Sequence, residues 1–324
     1  MKCTSRNCFG VFILLALLGL CACKGESYDM PYDPDTQITA FTFDSNNKEA
    51  GFEGFASSLC VADEDVMPEG DIIPTAEAGG LFDVNGKNTL ICKNANLKMN
   101  PASLTKVMTA YLALKYGNLE DTLTASSNVL ITESGAQLLG LKEGDKMTLD
   151  QALHGLLLYS ANDCGVMIAE YVSGSVESFA SLMTKTAQEL GATNTNFTNP
   201  HGLTDEEHYT TVYDLYLIFN EAMKYDEFLK IINETDYSCT YKDRDGNSKT
   251  FECSTTNGYL NGKFSGPDGV TVFGGKTGTT AAAGNCLILL SYDSSNNPYI
   301  SVILNDSDHD LMYGDMTNLL NDIP

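Results

Sequence analysis

Ser103-Leu-Thr-Lys106 sets a hydroxyl and an amine three residues apart, just after Pro101, at the head of an apolar run. On a helix, positions i and i+3 share a face, so Lys106 can reach the oxygen of Ser103. A serine hydroxyl attacks poorly until a neighbouring base takes its proton. A lysine can be that base once burial lowers its pKa. The run from Pro101 to Leu114 is apolar on nearly every side, which predicts a helix inside a sizeable core. Ser45-Asn-Asn-Lys48 has the same spacing in a polar stretch without such a face. Context, not spacing, singles out Ser103.

Two further patterns could complete a site. Ser160-Ala161-Asn162 follows an apolar stretch, Leu149 to Leu158. S-x-N alone says little, since Ser45-Asn-Asn47, Ser126-Ser-Asn128 and Ser294-Ser-Asn296 also match. Lys276-Thr277-Gly278 is the only K-T-G in the chain and lies between two β-type runs, Val270–Phe273 and Cys286–Tyr292. The order S-x-x-K on a buried helix, S-x-N after a helix, K-T-G on a strand is the signature of penicillin-binding proteins and serine β-lactamases.

Elements able to hold these residues can be read along the chain. Leu81–Val84 and Asn88–Cys92 flank Asn85-Gly86, a strong hairpin turn pair. The nucleophile helix should run from about Ala102 to Tyr116 and stop at Gly117. Thr148 and Gln151 predict a capping box at the start of the helix from Leu149. Residues 118–230 read as mostly helical, a second lobe. Strand-like runs at Val270–Phe273, Leu287–Tyr292 and Tyr299–Leu304 precede a last helix over Leu311–Leu320. Strands at both ends with helices between fit one sheet closed by the two termini.

Residues 76–324 resemble the serine D-Ala-D-Ala carboxypeptidases, the low-molecular-mass penicillin-binding proteins. Beyond the trio, the stretches Met99–Ala110, Asn199-Pro-His-Gly-Leu203, His208–Leu215 and Gly274–Thr279 look like that family. The resemblance implies an α+β, β-lactamase/transpeptidase-like fold: an antiparallel sheet flanked by helices, an all-helical lobe, and the active site between them. It implies peptidoglycan stem peptides as substrate, β-lactams as covalent inhibitors, and no metal or organic cofactor. In the expected reaction Lys106 deprotonates Ser103, which attacks the penultimate D-alanine carbonyl, and water then frees the acyl group. Ser160 would relay a proton to the leaving amine and Asn162 would hold the substrate amide. Lys276, Thr277 and Gly278 would form the carboxylate-binding strand with Thr279 assisting. By the same analogy, the backbone N–H groups of Ser103 and Thr279 form the oxyanion hole.

Other readings fare worse. A serine β-lactamase shares the trio, but the E-x-x-x-N that would carry one group's added base is absent. A D,D-endopeptidase is possible on the same chemistry. A non-catalytic receptor for wall peptide or β-lactam needs neither Ser103 nor Lys106. His201, Asp205 and His208 lie close in sequence, yet no H-E-x-x-H spacing supports zinc, and His154 reads as structural. No G-x-S-x-G marks a Ser-His-Asp hydrolase.

Net charge is −24 and the pI about 4.3; such a surface repels nucleic acid, so no nucleic-acid partner is expected. Local cations must therefore capture an anionic substrate. Lys2 and Arg6 precede an apolar run, Phe9 to Leu20, too short to span a membrane, so residues 1–22 read as a signal peptide. Leu20-Cys21-Ala22-Cys23 resembles a bacterial lipobox with Cys23 as the lipid acceptor. Residues 23–75 read as an acidic tether, with one short element around Phe55 to Val61. The expected location is the extracytoplasmic face of a bacterial membrane, held by a lipid anchor. Of the six later cysteines, Cys164 and Cys286 look like core thiols, and Cys60 and Cys92 could pair. A three-residue loop at Asp245-Gly-Asn247 would put Cys239 opposite Cys253, predicting a disulfide.

Overall fold

The computed structural model describes residues 56–324. The expected signal peptide, Cys23 and most of the expected tether lie outside the described residues. Nine strands are present in that span: β1 Ala76–Asp83, β2 Asn88–Lys93, β3 Thr122–Thr124, β4 Lys146–Thr148, β5 Asp236–Lys242, β6 Ser248–Ser254, β7 Thr271–Thr280, β8 Gly284–Tyr292 and β9 Pro298–Asp306. The helices are α1 Thr105–Tyr116, α2 Leu149–Leu157, α3 Asn162–Ser173, α4 Val176–Glu189, α5 Val212–Ala222, α6 Asp226–Asn233 and α7 His309–Asn321.

The main sheet is antiparallel with strand order β2-β1-β9-β8-β7. β1 pairs with β9, so the two ends of the domain close one sheet, as the strand pattern predicts. Side chains alternate across a strand, and here both faces are covered. Leu287 and Leu289 pack with Met312, Met316 and Leu320 of α7. Ile288 and Leu290 face the larger core with Leu104, Val107 and Phe219. That double burial is why Leu287–Leu290 reads as a continuous apolar run.

α1 runs through the centre of the larger core. Every residue from Thr105 to Ala113 is buried, so the helix has no solvent face before its last turn, where Lys115 and Tyr116 are exposed. It ends at Gly117, as predicted. The capping box of α2 forms in full: Gln151 N donates to Thr148 Oγ1 at 3.2 Å and Thr148 N to Gln151 Oε1 at 3.0 Å. The Asn85-Gly86 hairpin also forms, with Gly86 N donating to Asp83 Oδ1 at 2.7 Å.

Three features depart from the sequence expectations. First, the helical lobe carries its own sheet, β3-β4-β5-β6, in which the Cys239 hairpin joins two three-residue strands. Second, the end of the tether is docked. Val66 pairs with Cys92, Thr89 Oγ1 donates to Val61 O at 2.6 Å, and Tyr216 OH accepts from Cys60 N at 2.9 Å. Third, the predicted Cys239–Cys253 disulfide is absent and both are free thiols. Lys242 pairs with Ser248, so the connection spans Asp243 to Asn247 rather than three residues. Asp243 Oδ1 organises it, accepting from Asp245 N at 2.9 Å and Asn247 N at 2.8 Å. The longer turn slides the register, placing Cys239 opposite Phe251 and Cys253 opposite Tyr237. Diagonal positions on adjacent strands stand too far apart for a disulfide. Cys60 and Cys92 are likewise free and buried, and Cys164 and Cys286 are core thiols.

Candidate active site

The three motifs meet in one crevice. Ser103 sits on a 3-10 turn, Ala102–Leu104, that leads into α1. Ala102 has φ of 48°, a left-handed conformation uncommon for a residue with a Cβ. Ser160, on the loop between α2 and α3, has φ of 67°. Strained non-glycine backbone on both walls fits a functional site. Two glycines let the walls close. A Cβ on Gly278 would lie 2.9 Å from Ser103 N, and one on Gly202 1.8 Å from Ala102 O. Any side chain at either position would push the nucleophile turn away.

Lys106 is fully buried. Its Nζ lies 2.8 Å from Ser103 Oγ, 2.7 Å from Asn162 Oδ1 and 2.7 Å from His201 O. Burial, with Lys276 nearby, holds its pKa well below the usual lysine range. The partner set defines what the neutral amine can do. Asn162 Oδ1 and the His201 carbonyl can only accept, so they take the two N–H bonds of a neutral Nζ. Its lone pair then faces Ser103, the one partner with a proton to give. The site is thus arranged for transfer from Ser103 Oγ to Lys106 Nζ.

Lys276 on β7 is also buried, and burial lowers its pKa to about 7. Its Nζ donates to Ser160 Oγ at 3.0 Å and to Thr277 O at 2.8 Å. Ser160 therefore bridges the strand and helix sides of the cleft. Thr277 Oγ1 lies 2.6 Å from Thr256 Oγ1, and Thr279 Oγ1 donates to Asn285 Oδ1 at 3.2 Å. Ser103, Asn162, His201 and Thr279 line a cavity of about 260 Å³. The seven motif residues and Thr279 converge here; Gly278 contributes closeness rather than a side chain.

The histidines have structural partners. His208 Nε2 lies 2.8 Å from Thr105 Oγ1, and its Nδ1 accepts from Thr198 N at 3.1 Å. His201 Nδ1 accepts from Leu203 N at 3.2 Å. Burial lowers His201 to about 3 and His208 to about 4, so both are neutral near pH 7. His154 stacks on Tyr237 with ring centroids 3.9 Å apart.

Sequence reasoning missed several contributors. The His201 carbonyl, a ligand of Lys106, sits in the N-P-H-G-L stretch, which carried resemblance but no role. Thr256 belongs to no motif. Glu133, Ser134, Gly135 and Gln137 form a cavity wall from an irregular polar loop with no periodic signal.

The fold matches the crystal structure of the Streptomyces K15 DD-transpeptidase, with a TM-score of 0.71, 27% identity, and coverage of 79% of this chain and 98% of that one. The chain belongs to the D-alanyl-D-alanine carboxypeptidase family of peptidases, whose model matches residues 70–308. It is 34% identical over 231 residues to D-alanyl-D-alanine carboxypeptidase DacF of Bacillus subtilis, covering 70% of this chain and 56% of that protein. It is 30% identical over 261 residues to the D-alanyl-D-alanine carboxypeptidase of Streptomyces sp. strain K15, covering 76% of this chain and 87% of that one. The chain thus spans little more than half the length of the Bacillus relative.

Proposed function

We propose that this protein is a serine D-Ala-D-Ala carboxypeptidase that removes the terminal D-alanine of peptidoglycan stem peptides and is acylated by penicillin. The observation that carries this reading is the contact set of Lys106: two pure acceptors and one hydroxyl around a fully buried amine. Neutral Lys106 takes the Ser103 proton as Ser103 Oγ bonds to the penultimate D-alanine carbonyl carbon. The oxyanion forms against the N–H groups of Ser103 and Thr279, a kind of contact whose loss typically costs about 3–4 kcal/mol of barrier. Collapse breaks the peptide bond. Ser160, bonded to Lys276, relays the proton held by Lys106 to the departing amine, which leaves Lys106 neutral again and Ser160 with its own proton. Asn162 uses Oδ1 on Lys106, which leaves its NH₂ for a substrate carbonyl. Lys276 and Thr277 receive the terminal carboxylate. Water then attacks the ester, with Lys106 again taking the proton, and Ser103 is regenerated.

Residues 1–22 act as a signal peptide in this account and Cys23 accepts a lipid, holding the enzyme at the extracytoplasmic face. Among the described residues no helix is long and apolar enough to cross a membrane. Retention of the protein in the detergent phase, lost on Cys23→Ala, tests the anchor.

The catalytic reading is tested by incubating the full chain with a peptide ending in D-Ala-D-Ala and assaying free D-alanine. Benzylpenicillin should add one adduct, mapped to Ser103. An adduct retained in Ser103→Ala, or no D-alanine release, would reject the reading. Rapid penicillin turnover in place of a lasting adduct would favour a β-lactamase.

A further inference from the structure

From the amides that surround its carboxylate, we infer that Asp163 is a positioning residue that fixes the loop wall of the active-site cavity; the inference rests on the carboxypeptidase reading for its kinetic consequence. Asp163 is the second residue of α3, next to Asn162, and is 1% exposed. It forms no salt bridge among the described residues. Backbone amides surround it instead. Leu139 N and Cys164 N donate to Oδ1 at 3.0 and 3.1 Å, and Gly140 N and Leu141 N donate to Oδ2 at 2.8 and 3.0 Å.

A buried carboxylate without a counter-ion is costly unless such donors are held in place. The helix N-terminus also favours the negative charge. The carboxylate thus binds three successive amides of the 139–141 loop to α3. Gly140 has φ of 92°, the left-handed conformation that turns its N–H inward. Two residues upstream of Leu139, the Gln137 carbonyl accepts from Asn162 N at 2.8 Å. The loop is therefore fastened at the last residue of the S-x-N motif and at the residue after it.

The free part of that loop faces the reaction. Glu133 and Gln137 line the same cavity as Ser103, Asn162, Thr279 and Thr280. Residues 130–141 contain no helix or strand, so the Asp163 clamp, with the Gln137–Asn162 bond, holds this wall in place. A peptide must lie between the wall and β7. A loosened wall weakens peptide binding and leaves the Ser103–Lys106 pair as it was.

Asp163→Asn tests this with minimal change of shape. Whichever way its amide points, one oxygen is lost and two of the four N–H donors go unpaired. In the full-length protein, amides 139–141 should exchange hydrogen at least about tenfold faster, with the buried turns of α1 unchanged. KM for a peptide ending in D-Ala-D-Ala should rise about tenfold, with kcat within about threefold. Gly140→Val attacks the clamp from the loop side and should raise KM in the same way, with Asp163 intact; it serves equally should Asp163→Asn fold poorly. Unaltered exchange at 139–141, or a loss confined to kcat, overturns the assignment. Should the wild type release no D-alanine, the carboxypeptidase reading fails, and the exchange rates alone then decide the clamp.

Discussion

Gly278→Ala should slow acylation of Ser103 about tenfold. The strand passes the nucleophile turn so closely that an added Cβ would stand 2.9 Å from Ser103 N, 3.1 Å from Ala102 Cβ and 3.2 Å from Leu104 N. Ordinary contact begins at 3.4 Å, so the two walls must part by about 0.5 Å. Two of the three obstacles are backbone atoms, and no rotamer change relieves them. A displacement of about 1 Å at a reacting centre can cost about 100-fold in rate, so half of that implies about tenfold. Overpacking costs typically about 1–3 kcal/mol, and β7 is an edge strand that can yield, which puts the stability loss near the low end. The assay is the second-order rate of benzylpenicillin adduct formation, followed by intact-protein mass, beside thermal unfolding. Gly314→Ala is the control, since a Cβ there meets nothing within 4 Å. It should acylate at the wild-type rate. A Gly278→Ala protein that acylates within twofold of wild type would refute the close approach of strand and nucleophile as a catalytic constraint.

Three further outcomes are expected. Lys106→Met should lower acylation at least about 1,000-fold at every pH, as measured by adduct formation, because among the described residues no other base touches Ser103 Oγ. Stability should fall as acid enters the buried histidines. His208 has a folded pKa of about 4 against an ordinary 6.5, so the unfolded chain binds more protons between these values. Unfolding free energy should then drop from pH 6.5 toward 4, by the order of 3 kcal/mol from His208, with His201 adding to it. Chemical denaturation across that range measures it, and a flat profile contradicts it. Finally, alkylation under denaturing conditions without reductant should label both Cys239 and Cys253, whereas a bridged peptide would contradict the register.

The sequence made the site more legible than its frame. Ser103 and Lys106 stood out because charge or polarity inside an apolar run is costly and demands a purpose, and Lys276 because K-T-G occurs once in the chain, between two β-type runs. The capping box at Thr148 and the Asn85-Gly86 turn were readable because their chemistry is local. The β5–β6 register was not, since a turn held by the Asp243 side chain can hold two residues more than its glycine implies. Nor was the docking of residues near Cys60, where polar composition hides backbone groups satisfied by Tyr213 and Tyr216 far along the chain. The second sheet escaped notice because β3 and β4 have three residues each, too few to show alternation. The wall held by Asp163 depends on contacts between segments and leaves no periodic trace.

The central claim is that Lys106 is uncharged when Ser103 reacts. The pH dependence of Ser103 acylation by benzylpenicillin tests it most directly. Burial holds the Lys106 pKa well below 10.5, so the rate should stop rising with pH well short of 10.5. A rate that instead climbs about tenfold per pH unit from 7 toward 10 would show an ordinary charged lysine and contradict the account.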